Sequence, residues 1–234
     1  MTKYIVANWE SHGTLQSAER WLKDFFHYYK PRPDVKVIVA PPFVFTHPLK
    51  QTAAQAGQGQ IALAVQDISP FPVGDYTGAV AAEMVRGMVE YVIVGHFSRR
   101  RYFHETHQEI ANKVSEAASA GLTPILCLDP SYARAQFAAL EEPWPEDLIL
   151  AYDPYAAPGM KAPPSLQEAT GAMANLASLA PDHPILYGGP LRKDNAQAYL
   201  HLKGSAGLLV GSASLDPVDF ATICGAAAKE EALT

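Results

Sequence analysis

Residues 91–106 read YVIVGHFSRRRYFHET, an apolar run that breaks abruptly into polar and cationic residues. Tyr91-Val92-Ile93-Val94 is continuous and β-branched, the pattern of a strand buried on both faces, as in a parallel sheet. Gly95 stops it, and His96, Ser98, Arg99, Arg100 and Arg101 follow. In α/β folds chemistry collects where such strands end, so His96 is the first residue to test. Taken alone, a histidine at an element end is a hydrogen-bonded structural group; its neighbours decide whether it is more.

Working outward, short apolar runs at 3–7, 35–40, 61–65, 91–94, 124–128, 148–151, 184–187 and 206–210 read as eight strands. Segments of helical composition separate them, at 14–29, 48–56, 80–87, 104–120, 132–140, 165–179, 194–203 and 217–229. Thr14 and Ser165 are suited to be N-caps, and Gly121 to end the fourth helix. Ile110, Val114 and Ala117 recur at helical spacing, which turns one face of that helix onto a sheet. Strict βα alternation requires parallel strands with helical crossovers. Eight units in 234 residues predict an α/β fold of one domain over residues 1–234, a (β/α)₈ barrel. A doubly wound open sheet is the alternative, but Asn8-Trp9-Glu10-Ser11 follows strand one where a nucleotide binder needs a glycine-rich turn.

Bulk properties narrow the function. A net charge of -6 with dispersed Lys and Arg leaves no nucleic-acid footprint. No apolar run reaches the roughly 20 residues that span a bilayer, so no membrane is expected as a partner. Cys127 and Cys224 lie far apart in apolar segments, which suits reduced thiols in a cytoplasmic protein. The start, Met1-Thr2-Lys3, leads straight into a strand without a signal-peptide pattern.

In a barrel the residues just past the strands converge on one mouth. They are Asn8 and Glu10 after strand one, His96 after four, Asp129 after five and Asp153 after six. Gly188-Gly189-Pro190 and Gly211-Ser212-Ala213-Ser214 follow seven and eight, where barrels often bind phosphate. Over essentially its whole length the chain resembles the triosephosphate isomerase family. The resemblance runs through Ala7-Asn8-Trp9, Ala40-Pro41-Pro42-Phe43, Gly74-Asp75-Tyr76-Thr77-Gly78, Val92-Ile93-Val94-Gly95-His96, Arg99-Arg100, Ala151-Tyr152-Asp153-Pro154, Tyr187-Gly188-Gly189 and Leu209-Val210-Gly211-Ser212-Ala213-Ser214. The resemblance implies interconversion of dihydroxyacetone phosphate and glyceraldehyde 3-phosphate without a cofactor. The established pair in that family is a carboxylate base and a neutral histidine that polarises the carbonyl; they match Asp153 and His96 here. Asn8 matches a polar neighbour of the substrate oxygen, and Gly159, Gly189, Pro190, Gly211 and Ser212 match phosphate-binding positions. The loop from Gln66 to Gly78 matches the segment by which family members dock into a second copy, so a homodimer is implied.

The departures from the family are as specific as the matches. Glu10 stands where the family has a lysine that attracts the substrate, and Ser98 where it has that lysine's companion glutamate. Asp153 is one methylene shorter than the family's base, and about 1 Å of misplacement can cost on the order of 100-fold in rate. Pro190 has no N–H for phosphate. The lid at 154–161 is one residue shorter, lacks the family's tryptophan and contains Pro158. The expectation is proton transfer on a small carbonyl compound, with weak or absent turnover of the triose phosphates. A catalytically inactive binding or regulatory module is the alternative. A metal-dependent activity, with a divalent cation among Glu10, Asp129, Asp153 and His96, is a further one; His104 and His107, three apart, are read as a solvated helix face.

Overall fold

The computed structural model describes residues 2–55, 61–154 and 163–227. Eight parallel strands, β1 (Lys3–Asn8), β2 (Val35–Ala40), β3 (Ile61–Val65), β4 (Tyr91–Val94), β5 (Thr123–Leu128), β6 (Ile149–Tyr152), β7 (Ile185–Tyr187) and β8 (Ser205–Val210), pair in chain order, and β8 returns to β1 to close a barrel. The described chain is a (β/α)₈ barrel. Side chains alternate across each strand. Val6, Ile38, Ile93, Ile125, Ile149 and Leu209 form part of a buried cluster separate from the larger one that includes Ile5, Val37, Val92, Leu126 and Leu208. The larger cluster is completed from the helices, for instance by Leu22, Phe25, Ile110 and Phe220. Both faces of every strand are thus buried, which is why the strands read as unbroken apolar runs.

The helices are α1 (Leu15–Tyr28), α2 (Phe43–Gln55), α3 (Ala82–Val85), α4 (Phe97–Tyr102), α5 (His107–Ser119), α6 (Ala133–Ala139), α7 (Leu166–Leu179), α8 (Ala196–Leu200) and α9 (Pro217–Ala226). Thr14 and Ser165 cap α1 and α7 as expected, each inside a reciprocal capping box. Three expectations need correction. The second helix begins at Phe43, five residues before the expected start at Pro48, which lies inside it. The segment 104–120 does not form one helix. His104 has φ +56 and the helix starts at His107 behind the cap Thr106, so the two histidines do not share a helix face. Between β4 and that cap stands α4, which buries none of its residues and therefore shows no apolar periodicity.

The turn from β4 into α4 aims His96. Gly95 has φ +68, and a Cβ on it would lie 3.1 Å from Ile110 of α5. A side chain there is strained twice over. His96 then becomes the N-cap of α4, its carbonyl accepting from Arg99 N at 2.9 Å. Among the described residues no helix is long and apolar enough to cross a membrane. Cys127 and Cys224 are free and buried, and burial pushes both thiols well up.

Candidate active site

β1 delivers Asn8 and Glu10. Asn8 is buried, and its Oδ1 accepts from the Glu10 N–H at 3.4 Å. The Glu10 carbonyl accepts from Gln66 Nε2 at 3.0 Å, and the same amide donates to Ala40 O at 2.8 Å. Gln66 thus ties the end of β3 to β1 and β2. These bonds hold Glu10 at φ +51, a region that non-glycine residues rarely enter. The half-buried Glu10 carboxylate stands with Oε1 3.9 Å from His96 Nε2.

His96 Nδ1 lies 2.8 Å from Ser98 Oγ. Burial draws the His96 pKa down to about 4, the Glu10 charge pulling it back up and Arg100 pushing it further down. At neutral pH the ring is uncharged. With a carboxylate facing Nε2, the favoured tautomer carries its N–H there, so that Nδ1 accepts from the Ser98 hydroxyl.

Asp153, directly after β6, is 1% exposed. Its Oδ2 accepts at 3.0 Å from the N–H of Phe97, the residue next to His96, which brings the base candidate to the turn that carries the electrophile candidate. Arg100 Nη2 lies 3.8 Å from that oxygen, while Arg100 Nη1 donates to Gly95 O and to Cys127 O, the latter at 2.9 Å. Phe97 N–H and Arg100 were not singled out in the sequence as site residues. Arg99-Arg100 entered the sequence reading as part of a cationic run and as a family motif, with no role at the site, and a backbone N–H leaves no trace in residue types.

Two cavities meet at Asn8, Glu10 and His96. The wider, of about 420 Å³, is also lined by Gln66, Ser98 and Tyr102. The narrower, of about 30 Å³, is lined toward β7 and β8 by Gly189, Gly211 and Ser212, joined by Leu191 and Leu209. That volume accommodates two or three waters at about 10–15 Å³ each. Asp153 lines neither. Of the expected substrate positions, Gly189, Gly211 and Ser212 come together. Pro190 instead turns its carbonyl to Asn195 Nδ2 at 3.2 Å, and Leu191 occupies the cavity wall. Gly159 and the lid residues 155–161 lie outside the described residues.

The four groups named for a cation do not converge. Glu10 faces His96, Asp129 Oδ1 accepts from Ser131 N at 2.8 Å, and Asp153 is held by Phe97. Among the described residues no three of His, Cys, Asp and Glu are grouped to hold a metal ion.

Comparison with known proteins agrees with this fold. A family model described as triosephosphate isomerase matches residues 3–227. A protein of Symbiobacterium thermophilum named triosephosphate isomerase is 33% identical, the match covering 99% of each chain. One of the same name from Coxiella burnetii is 33% identical over 94% of each chain. Another, from Herminiimonas arsenicoxydans, is 34% identical over 96% of this chain and 99% of its own.

Proposed function

The chain belongs to the triosephosphate isomerase family, and from that premise we propose that Asp153 and His96 carry out aldose–ketose proton transfer on a small carbonyl compound other than a phosphate dianion. The observation that supports it best is the Asp153 Oδ2 contact to the Phe97 N–H, one residue from His96. In the forward step Asp153 takes a proton from the carbon beside the carbonyl, while His96 Nε2–H donates to the carbonyl oxygen as it gains charge. Asp153 then returns its proton to the neighbouring carbon, while His96 Nε2, which gave its proton to the first oxygen, takes back the proton of the other enediol hydroxyl, leaving the isomeric carbonyl and both side chains as they began. Asn8 is the polar neighbour of the same oxygen. No cofactor enters these steps.

Glu10 argues against a phosphorylated triose. Two unit charges about 4 Å apart interact by roughly 4 kcal/mol at an effective dielectric of 20, and here the interaction is repulsive. Pro190 withholds an N–H, and Leu191 with Leu209 narrows the side toward β7 and β8. We further propose a homodimer through the 66–78 loop, on which Phe71 and Tyr76 stack at 4.7 Å and are both exposed, and a cytoplasmic location, consistent with the two free thiols.

The test is a coupled isomerase assay on purified protein, beside a panel of unphosphorylated aldoses and ketoses. Turnover of at least one such sugar that is lost in His96→Asn and in Asp153→Asn is expected, with little on glyceraldehyde 3-phosphate. Turnover of the triose phosphate at the level of its relatives would overturn the substrate assignment. Glu10→Lys combined with Asp153→Glu is expected to restore little of it. One observation favours the second reading, a non-catalytic module: the Asp153 carboxylate is held away from both cavities. That reading predicts an unaltered cellular role in folded His96→Ala and Asp153→Ala variants.

A further inference from the structure

Ser98 belongs to the same turn as the histidine it meets. Its hydroxyl oxygen lies 2.8 Å from His96 Nδ1. The other ring nitrogen, Nε2, has Glu10 Oε1 at 3.9 Å, beyond the roughly 2.7–3.2 Å of an N–H···O bond, and the Glu10 side chain is 39% exposed. Among the described residues, Ser98 Oγ is thus the one group within hydrogen-bond reach of the ring. Packing alone does not replace that bond. The Phe97 ring meets the imidazole at a tilt of 53°, with centroids 4.7 Å apart, and the outer torsion of a histidine side chain has only broad preferences of its own.

The serine is itself held on both sides. His96 O accepts from Arg99 N at 2.9 Å and from Arg100 N at 3.3 Å, which fixes the turn after Ser98. The Phe97 N–H that donates to Asp153 Oδ2 fixes the peptide before it. The hydroxyl therefore reaches the ring from a frame that includes the histidine, whereas Glu10 arrives from the end of β1. The two flanks are matched to one tautomer. An ionised Glu10 can only accept, which favours the proton on Nε2; Nδ1 is then bare and needs a donor, and a hydroxyl supplies one. Glu10 and Ser98, both departures from the family sequence, face opposite nitrogens of a single ring in complementary roles.

We propose that Ser98 is a positioning residue, whose hydroxyl donates to His96 Nδ1 and so holds the ring with Nε2–H turned toward the cavities that Asn8 and Glu10 line. Its catalytic consequence rests on the reading of His96 as the group that polarises the carbonyl; the bond itself does not. A donor that meets developing charge has to be held within about 0.5 Å and 10–20° of its working position. Without the hydroxyl the ring swings about its outer torsion, which displaces Nε2 while the cavity walls, and with them substrate binding, stay in place.

Nitrogen-15 NMR of the histidine rings in the whole protein at neutral pH decides the bond, the His96 signals being assigned by their loss in His96→Gln. Nδ1 is expected to be unprotonated and hydrogen-bonded. In Ser98→Ala it should move downfield, to the position of a bare, unbonded ring nitrogen, and in Ser98→Thr, which keeps the hydroxyl, it should return. Ser98 is only partly buried and lies in the first turn of α4, where alanine is a good helix former, so folding is not at issue. In the isomerase assay Ser98→Ala should lower kcat by about ten-fold or more with KM changed by less than about two-fold, and Ser98→Thr should regain most of the loss. A protonated Nδ1 in the unsubstituted protein, an Nδ1 signal unmoved by the alanine, or a loss confined to KM would overturn the proposal. Absence of turnover in the unsubstituted protein would instead overturn the catalytic reading of His96, while the nitrogen signals still decide the Ser98 bond.

Discussion

His96 is neutral for a reason that can be taken apart. Burial removes water from the ring, Arg100 adds a like charge, and only Glu10 opposes them. Replacing Glu10 by Gln removes the opposing charge, so the His96 pKa should fall below about 4; an upward movement in an NMR titration of the ring would contradict this. The same depression links His96 to stability. Above the ordinary histidine value, near pH 6.5, the ring is neutral both folded and unfolded and contributes nothing. As pH falls toward 4 the unfolded chain takes up a proton that the folded one refuses, and stability is lost, by up to about 3 kcal/mol once both forms are protonated. His96→Gln should therefore flatten the decline of the urea midpoint between pH 6.5 and 4. An unchanged slope would mean that other groups govern the acid limb. The candidacy of Asn8, His96 and Asp153 was legible because a strand end is visible as an apolar run that stops. The φ +51 of Glu10, the Ser98 hydroxyl on Nδ1 and the Phe97 N–H on Asp153 were not, because each depends on which atoms a turn brings within hydrogen-bond reach.

Between strand ends, the elements are tied by charge. Lys113 on α5 reaches Asp67 Oδ1 at 2.6 Å and Glu105 Oε1, while Arg99 on α4 reaches Asp67 Oδ2 at 2.9 Å and the same Glu105 oxygen at 3.2 Å. Lys113 and Glu105 are nearly sealed from solvent, so removing one cation leaves buried negative charge uncompensated. Lys113→Met should cost about 3–5 kcal/mol in urea unfolding at neutral pH. Asp67 already has its carboxyl pKa raised, by burial first, with Lys113 holding it back. Without Lys113 it rises further, so the deficit should shrink as pH is lowered and Asp67 takes up a proton; a deficit that grows in acid would refute this account. Such a network could not be read from the chain, where Asp67, Arg99, Glu105 and Lys113 look like ordinary surface charges. Strands were the opposite case: buried on both faces, they announce themselves. α4 was missed because a helix with no buried face leaves no periodic signal, and α2 was shortened because it buries only Thr46 and Leu49, too few to mark its first turn.

At the scale of the whole molecule, eight parallel strands are useful only if the last meets the first. That seam is β8 on β1, with Gly207 opposite Tyr4. A Cβ on Gly207 would lie 1.8 Å from the Tyr4 carbonyl oxygen and 2.7 Å from its carbon. Both are backbone atoms of the partner strand, so neither can turn aside as a side chain would. Just below, Lys3 Nζ donates to Ser205 O at 2.6 Å, which holds the two strand starts together. Gly207→Ala must therefore push β1 from β8, and a barrel forced open acquires two unpaired edges where it had none. We expect a loss above about 4 kcal/mol in chemical unfolding, or failure to accumulate as folded protein. The matching control is Gly171→Ala in α7, where nothing lies within 4 Å of the added Cβ and alanine should raise stability by about 0.5–1 kcal/mol. The same substitution thus has opposite signs at a seam and on a helix. Equal midpoints for the two variants would show that closure does not depend on the approach of these backbones, and that the seam yields without opening.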